Sequence, residues 1–446
     1  MSAEPVIDSE DGTALSEDEL RDAWPALATE ERVDGFRMLP AEEADDFFLT
    51  LMPLGQAQII TGLPRGQRRI WMRLLAPDDA ADVLQEVEPE ERAELLSLLD
   101  EQTRREVQAL MAYAEDDAGG LMSTRFARVR PDMTVDEAIR YLRRQASEKL
   151  ETLYYAYVLD PAQKLLGVVS FRELFAAAPG KTVREIMDDD VVSVHAEMDQ
   201  EHLSRLFARH GFIAIPVVDD EGRMQGIVTI DDIVDVVQEE ATEDVQKFGG
   251  MEALESPYLQ TRFSSMVQKR AGWLSALFIG EMLTASAMSR YEDEIARAVV
   301  LALFVPLIIS SGGNSGSQAA TLVIRAMALG EVKLRDWWRI MRRELGAGLA
   351  LGLILAVLGF IRIAVWQSMF SSYGPHWVGV GITVSISLVG VVMWGTLSGS
   401  MLPFVIRRLG ADPASASAPF VATLVDVSGL VIYFTTAHVV LSGALL

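Results

Sequence analysis

The C-terminal part of the chain contains five long apolar segments, each with the length that a membrane crossing requires. A bilayer core is spanned by about 20 consecutive apolar residues in a helix. The hydrophobic pattern therefore predicts five transmembrane helices. They are Ala271–Met288, Ala298–Leu329, Leu345–Val365, Trp377–Ile406 and Pro419–Leu441.

The polar first part of the chain begins with short helical patterns that repeat loosely. Between Val33 and Tyr113, a proline and several acids are followed by apolar residues at helical spacing, as in LAPDDAADVLQEVEP and VEPEERAELLSLLD. Acids after a proline are typical of a helix start. Short helices that cannot bury a face alone stack into arrays. We expect an all-α helical-repeat domain over residues 31–119, after a loosely ordered acidic segment at 1–30.

A pattern of helix, strand, turn, strand and helix then occurs twice, over residues 120–182 and 183–238. The first copy contains TLYYAYVLD, LLGVVS and FRELFAA, and the second contains GFIAIPVVDD and GIVTIDD. Two copies in this order resemble a tandem pair of cystathionine-β-synthase (CBS) domains. The resemblance implies that Thr229 and Asp232 contact the hydroxyl and ribose groups of an adenine nucleotide such as ATP. The first copy has Glu173 where that family has Asp, and the alternative that the pair only dimerises stays open.

Residues 239–262 connect this pair to the membrane part, with a helix up to Phe248 and a bend at Gly249-Gly250. The predicted fold is thus a multidomain membrane protein. It contains an all-α N-domain, an α/β tandem CBS pair, a connecting helix and a five-helix transmembrane domain over residues 263–446.

Charge divides the chain in the same place as hydropathy does. The 446 residues carry a net charge of −25, but residues 262–446 contain 14 Lys and Arg against 9 Asp and Glu, a net charge of +5. The preceding part contains 25 basic and 55 acidic residues, a net charge of −30. This balance excludes a basic nucleic-acid footprint. The absence of cysteine excludes disulfides and thiolate metal sites.

The basic residues of the membrane part predict its orientation. They precede the first span, crowd the link between the second and third spans, and follow the fourth span, whereas the opposite links carry few. The positive-inside rule therefore places the N-terminus in the cytoplasm and the C-terminus outside the plasma membrane. The N-terminus shows no apolar signal segment. The basic residues are Lys269, Arg270, Lys333, Arg335, Arg339, Arg342, Arg343, Arg407 and Arg408.

The second span is unusually polar at its centre, which reads SSGGNSGSQ. Its glycines allow another backbone to approach closely, so helix packing is one interpretation. Asn314 and Gln318 place two amides on one helical face. Amides in hydrocarbon need partners or water, and these two therefore favour a polar pathway.

The fifth span contains one acid, Asp426, and no Lys or Arg to pair with it. An ionisable group at this depth is costly and usually faces a partner or a water-filled path. A bound metal cation or a proton must therefore neutralise the Asp426 carboxylate. Thr423 lies nearby in the sequence. Glu281 in the first span is a second intramembrane acid, for which a pair with Arg362 is one interpretation.

Mg²⁺ suits a single carboxylate per chain because this hard ion keeps waters and takes few protein ligands. The membrane part has only two histidines, near its outer end, which argues against a zinc path. Proton coupling through Asp426 is the competing account, although the sequence shows no chain of intramembrane acids for it.

The segment from Pro306 to Val332 and the segment from Ile406 to Phe434 are similar to those of the MgtE family of bacterial magnesium channels, as is the domain order. The resemblance implies a homodimer with a pore on the two-fold axis and Asp426 as principal Mg²⁺ ligand. Asn314, Gln318 and Thr423 would line the pore, and the connecting helix would plug it. Mg²⁺ on cytoplasmic acids would hold the closed state. The matching acids are Asp199, Glu201, Asp232, Asp235, Glu240, Glu243 and Asp244.

Closure of the path by internal Mg²⁺ can also be predicted from charge alone. Acidic domains with a net charge of −30 repel each other unless cations bind between them. Divalent binding that favours the compact arrangement would close the path. We therefore expect a Mg²⁺-selective importer closed by internal Mg²⁺. A divalent-cation antiporter driven by H⁺ or Na⁺ and a membrane-anchored nucleotide sensor are the alternatives. No catalytic motif indicates an enzyme.

Overall fold

The computed structural model describes residues 16–146, 150–254 and 256–441. They divide into two compact units, Met1–Glu240 and Ala241–Leu446. The first unit begins with eight short helices. They are α1 (Glu17–Ala23), α2 (Thr29–Met38), α3 (Ala41–Leu49), α4 (Pro53–Gly62), α5 (Arg65–Leu74), α6 (Pro77–Gln85), α7 (Pro89–Leu98) and α8 (Glu101–Leu110).

The helical domain starts earlier than the sequence pattern predicts. Residues 1–15 lie outside the described residues, but α1 occupies part of the segment that we expected to be loosely ordered. The Ser16 hydroxyl accepts a hydrogen bond from the Glu19 amide, and the Glu19 carboxylate accepts one from the Ser16 amide. This capping box starts the helix, and Leu20 buries it in the domain core. The prediction for residues 1–30 is therefore wrong from Ser16 onward.

Two similar three-stranded sheets follow, as the internal repeat predicts. In each, a short first strand pairs in parallel with the second, which pairs antiparallel with the third. The two short first strands were not predicted. The first repeat contains β1 (Arg128–Val129), α9 (Val135–Gln145), β2 (Tyr155–Leu159), β3 (Leu165–Ser170) and α10 (Phe171–Ala176). The second contains β4 (Val194–His195), α11 (Gln200–His210), β5 (Ala214–Val218) and β6 (Met224–Thr229).

The connecting helix α12 spans Ile230–Phe248, which differs from the predicted 239–262 at both ends. It begins directly after β6 because the Asp232 carboxylate accepts hydrogen bonds from the amide and hydroxyl of Thr229. It stops before Gly249 and Gly250, and Gly250 has a φ of +76° that favours glycine. The predicted boundary at residue 239 therefore lies inside one helix.

Within the described residues, five segments of the second unit are long and apolar enough to cross a membrane, as predicted. The second is interrupted before Pro306, which cannot donate a helical hydrogen bond. After α12, the helices of the second unit are α13 (Phe263–Arg290), α14 (Glu292–Arg297), α15 (Val299–Ala302), α16 (Val305–Ala328), α17 (Trp337–Phe370), α18 (Trp377–Arg408) and α19 (Ala418–Leu441). Short 3-10 turns occupy Trp24–Ala26, Val183–Glu185, Leu334–Asp336 and Pro413–Ser415.

Glycines bring α16 and α18 into backbone contact. A Cβ on Gly316 would lie 2.8 Å from the carbonyl oxygen of Gly395, and one on Gly399 would clash with the backbone of Gly316. The Ser315 and Thr396 hydroxyls, 2.7 Å apart, join the same two helices. The packing interpretation of these glycines is therefore confirmed. The amides of Asn314 and Gln318 lie on the opposite, exposed face of α16.

Candidate functional site

Asp426 lies half-buried on α19, against the glycine face of α16. A Cβ on Gly313 would lie 4.0 Å from Oδ1 of Asp426 and 3.4 Å from the Cβ of Ala422. A hydrogen bond of 3.3 Å from the Ser317 hydroxyl to the Ala418 carbonyl oxygen holds the same helix pair. The missing side chain at Gly313 lets α16 pack closely against α19 at the level of this carboxylate.

A second carboxylate, Glu281, accompanies Asp426. A Cβ on Gly280 would lie 2.8 Å from Cγ2 of Thr423, so α13 and α19 are in close contact at this level. The charge of Glu281 acts on Asp426. The suggested pair of Glu281 with Arg362 is wrong.

Arg362 has other partners near the end of α17. Its Nη1 donates a hydrogen bond of 2.8 Å to the Tyr373 hydroxyl. Its guanidinium also lies 3.6 Å from the ring centroid of Trp366. These contacts hold Arg362 beside aromatic groups of its own helix and the following loop.

Asn314 and Gln318 lie one turn apart on α16, and both are exposed in the single chain. Asn314 directly follows Gly313 in α16, but its amide points to a different face of that helix. Thr423 is half-buried one turn before Asp426. Glu281, Asn314, Gln318, Thr423 and Asp426 lie on three helices, of which α19 packs against both α13 and α16, and we call these five residues the polar groove. Exposed amides and carboxylates on membrane helices require water, an ion or another subunit.

The described residues contain no group of three or more His, Cys, Asp or Glu side chains placed to hold a metal ion. A hydrated Mg²⁺ ion does not need such a group, since it dehydrates reluctantly and binds through one or two carboxylates.

The predicted regulatory acids of the first unit lie at the start of α11 and along α12. Asp199 caps α11 by accepting hydrogen bonds from the amides of Glu201 and His202. Glu201 forms an ion pair of 2.5 Å with Arg205. Gln200 donates a hydrogen bond of 2.7 Å to Glu240, which brings α11 and α12 together. Asp199 and Glu201 therefore already have partners within the protein. Asp235, by contrast, is exposed on α12.

The structure places Asp232 beside further acids that the sequence analysis missed. Burial, followed by the charges of Asp79 and Asp232, raises the pKa of Asp82 to about 8. Burial and Asp231 raise the pKa of Asp232 to about 7, against the opposing hydrogen bonds from Thr229. We call Asp78, Asp79, Asp82, Glu151, Asp231 and Asp232 the acidic cluster.

Asp78 is the most enclosed member of this cluster. It is 7% exposed, and its Oδ1 has no hydrogen-bond partner among the described residues. Burial, with the charges of Glu151 and Asp79, raises the pKa of Asp78 well above its ordinary value. No local sequence signal marks the cluster, because its members come from three separate segments. Repulsion of this kind is relieved by protons or cations.

The two repeats differ at their nucleotide-type motifs. In the second, Thr229 is 4% exposed and Asp232 belongs to the acidic cluster. In the first, Ser170 and Glu173 cap α10 in the same way, with hydrogen bonds of 2.7 and 2.8 Å. The first motif, however, borders an open cavity of about 360 Å³. Its lining includes Tyr154, Tyr155, Phe171, Arg172 and Asp188.

An ion pair fixes the C-terminal end of α12 within the second unit. Lys247 donates a hydrogen bond of 2.8 Å to Asp412, in the loop before α19, and also pairs with Glu243. Burial lowers the pKa of Lys247, but these two bonds outweigh it and raise the pKa overall. Glu243 is therefore paired with Lys247, and Asp244 also has a partner.

Comparison with known proteins gives matches along nearly the whole chain. The profile of MgtE, described as a divalent cation transporter, matches residues 305–436. The MgtE intracellular N domain matches residues 15–116, and CBS domains match 118–180 and 183–239. A solved structure of the cytosolic domain of the Mg²⁺ channel MgtE in complex with ATP is 43% identical, with a TM-score of 0.46. It covers 50% of this chain and 90% of that chain.

Full-length relatives agree with these matches. The magnesium transporter MgtE of Thermus thermophilus is 41% identical over 94% of this chain and 92% of the relative. The magnesium transporter MgtE of Bacillus subtilis is 33% identical over 86% of this chain and 82% of the relative. The resemblance found in the sequence is thus confirmed. The chain belongs to the MgtE family of divalent cation transporters.

Proposed function

We propose that this chain forms a homodimeric, Mg²⁺-selective channel that imports magnesium across the bacterial plasma membrane. The observation that carries the proposal is Asp426, an intramembrane carboxylate beside Gly313, with Glu281 as a second acid and two exposed amides on the helix that carries Gly313. Two copies of the polar groove facing each other would bring both Asp426 side chains to one hydrated divalent ion. The matched relatives, which are named magnesium transporters, support the choice of ion.

The membrane potential supplies the driving force for this import. A doubly charged ion gains about 4.6 kcal/mol per 100 mV, twice the value for a single charge. The proposed orientation, with the N-terminus in the cytoplasm, rests on the basic residues that flank the spans. It places the acidic domains where they meet imported Mg²⁺.

The reversal potential of purified protein in planar bilayers distinguishes a channel from an exchanger. We expect it to follow the Mg²⁺ gradient alone. A reversal potential that shifts with a H⁺ or Na⁺ gradient at constant Mg²⁺ would favour the antiporter. A protein that is folded but carries no Mg²⁺ in bilayers or vesicles would favour the nucleotide sensor.

Single-cysteine cross-linking tests the homodimer, because the chain has no natural cysteine. An Asp426→Cys variant should form a covalent dimer with a short bifunctional thiol reagent in membranes. Val439→Cys, on an exposed part of α19, is the matched control and should remain monomeric on gels. Equal cross-linking at both positions would contradict a groove that faces the two-fold axis.

Internal Mg²⁺ is proposed to close the channel through the cytoplasmic acids. The acidic cluster supports this, since burial raises the pKa values of its members Asp78, Asp82 and Asp232. Divalent ions that reduce this repulsion would stabilise the compact arrangement. The contact of Lys247 with Asp412 would then hold the end of α12 against the membrane unit's α18–α19 loop. Patch recordings with stepwise internal Mg²⁺ should show closure, and flux that ignores internal Mg²⁺ would contradict it.

An adenine nucleotide is proposed to bind the first repeat. The open cavity there combines aromatic rings with Arg172 for phosphates and Glu173 for a ribose. The second motif is less suitable, because anionic phosphates would approach the acidic cluster beside Asp232. Titration with ATP should give a binding signal that Arg172→Ala weakens and Thr229→Ala leaves in place. The opposite pattern would assign the nucleotide to the second repeat.

A further inference from the structure

The polar groove contains two acids, Asp426 and Glu281. The proposed transport site uses only Asp426, so Glu281 has no role in it. We propose that Glu281 is a second Mg²⁺-binding carboxylate, which holds the hydrated ion together with Asp426. This inference rests on the proposed function and extends the ion pathway from α19 onto α13. It concerns the binding of the transported ion and its discrimination from monovalent cations.

The contacts of α13 place Glu281 at the level of Asp426. The Trp273 indole donates a hydrogen bond of 3.2 Å to the Ser417 hydroxyl near the start of α19. Further along both helices, the rings of Tyr291 and Phe434 stack with centroids 4.9 Å apart. The contact of Gly280 with Thr423 lies between these two. The helices therefore run side by side in the same direction, and Glu281 is held beside the fifth-span acid.

The charges around Glu281 favour a bound cation. Glu281 is exposed on a helix that crosses the membrane, and the charge acting on Asp426 is that of Glu281. Arg362 is engaged by Tyr373 and Trp366 instead. Two carboxylates without a basic partner are costly in a membrane. A divalent cation neutralises both, whereas a monovalent cation leaves one negative charge.

An unpartnered hydroxyl gives independent support for a polar ligand. Thr284 follows Glu281 by three residues on α13, is 7% exposed, and its buried hydroxyl has no hydrogen-bond partner among the described residues. A threonine in a helix usually bonds to the carbonyl oxygen four residues earlier. Three others in this unit do so at 2.7 to 2.8 Å: Thr321, Thr396 and Thr436. The Thr284 hydroxyl, one turn from Glu281, thus lacks a protein partner, and we assign that role to a water of the hydrated ion.

Mg²⁺ uptake by vesicles that contain the full chain tests this assignment, with Mg²⁺ itself as the probe. Glu281→Gln should raise the half-saturating Mg²⁺ concentration by roughly 10- to 100-fold, the range seen when outer-shell metal partners are removed. Glu281→Asp, which keeps the charge, should give an intermediate value. Thr284→Val should raise it by a smaller factor. The matched control is Glu292→Gln, an exposed acid outside the groove, which should behave as the unmodified chain.

The results separate this inference from the proposed function. Loss of uptake in Asp426→Asn combined with unchanged half-saturation in Glu281→Gln would overturn the role of Glu281 and leave the channel intact. Full uptake in Asp426→Asn would instead overturn the channel proposal. If Glu281→Gln removed a pH dependence without changing half-saturation, the two acids would share a proton, and the inference would also be overturned. Should Glu281→Gln fail to fold, wild-type kinetics in both Glu281→Asp and Thr284→Val would overturn it.

Discussion

The close contact between α16 and α18 gives a prediction that connects packing with transport. Gly316→Ala adds a methyl group 2.8 Å from the carbonyl oxygen of Gly395 and 2.7 Å from Cγ1 of Val421. The first of these atoms belongs to a helix backbone and cannot rotate away, so α16 and α18 must separate by several tenths of an ångström. Because Gly313 lies on the same helix, this movement also changes its position relative to Asp426.

The expected size of the effect follows from two opposing contributions. Overpacking a tight contact costs roughly 1–3 kcal/mol. Replacing glycine by alanine in a helix returns about 0.5–1 kcal/mol through backbone entropy. A net destabilisation of about 1–2 kcal/mol is therefore expected for Gly316→Ala.

The matched control is Gly346→Ala on α17, where a Cβ meets nothing within 4 Å. Thermal unfolding in detergent should show a lower midpoint for Gly316→Ala and an unchanged or higher midpoint for Gly346→Ala. Mg²⁺ uptake should fall only in the first variant. Equal midpoints and equal uptake in both variants would refute the packing argument, because the two substitutions differ only in what the new methyl group contacts.

Two further predictions concern the cytoplasmic side. Lys247→Met leaves Asp412 and Glu243 without their cationic partner, which costs about 1 kcal/mol of interaction energy for a half-exposed pair. Closure in patch recordings should therefore require several-fold more internal Mg²⁺. Lys247→Arg keeps the positive charge and is the control. Unchanged closure in Lys247→Met would show that the contact does not hold the closed state. Burial raises the pKa of Asp82 to about 8 and that of Asp232 to about 7, so both acids favour the folded state while they are protonated. Without divalent ions, the stability that they contribute is fully present below pH 4 and is lost as the pH rises through 7 to 8. The thermal midpoint of the chain should accordingly fall between pH 5 and pH 8, recover with Mg²⁺, and depend less on pH in Asp82→Asn; a midpoint in the unmodified chain that rises over this range would contradict the burial of these acids.

The five spans, the internal repeat and the family could be predicted because each depends on a pattern that is continuous in the sequence. Long apolar segments predict membrane helices without knowledge of their neighbours. The start of α12 was mispredicted because the cap formed by Thr229 and Asp232 is a local contact that a charge pattern does not reveal. Similarly, Ser16 and Glu19 start a helix in a segment whose composition suggests disorder.

Contacts between distant segments account for what the sequence analysis missed at the site. Asp78 and Asp82 precede Asp232 by about 150 residues, and only the fold brings them together. Glu281 was assigned a basic partner because opposite charges in membrane spans commonly pair. The structure instead places it beside Asp426, since Gly280 allows α13 to contact Thr423. The residue types were thus recognisable, whereas their partners were not.

Magnesium influx into vesicles that contain equal amounts of unmodified and Asp426→Asn protein tests the central claim most directly. Asparagine keeps the size and the helical position of the side chain and removes only its charge. With dimer formation and thermal unfolding unchanged, the variant is expected to lose Mg²⁺ influx at every external concentration tested. Influx that matches the unmodified protein would contradict the claim that this carboxylate holds the transported ion.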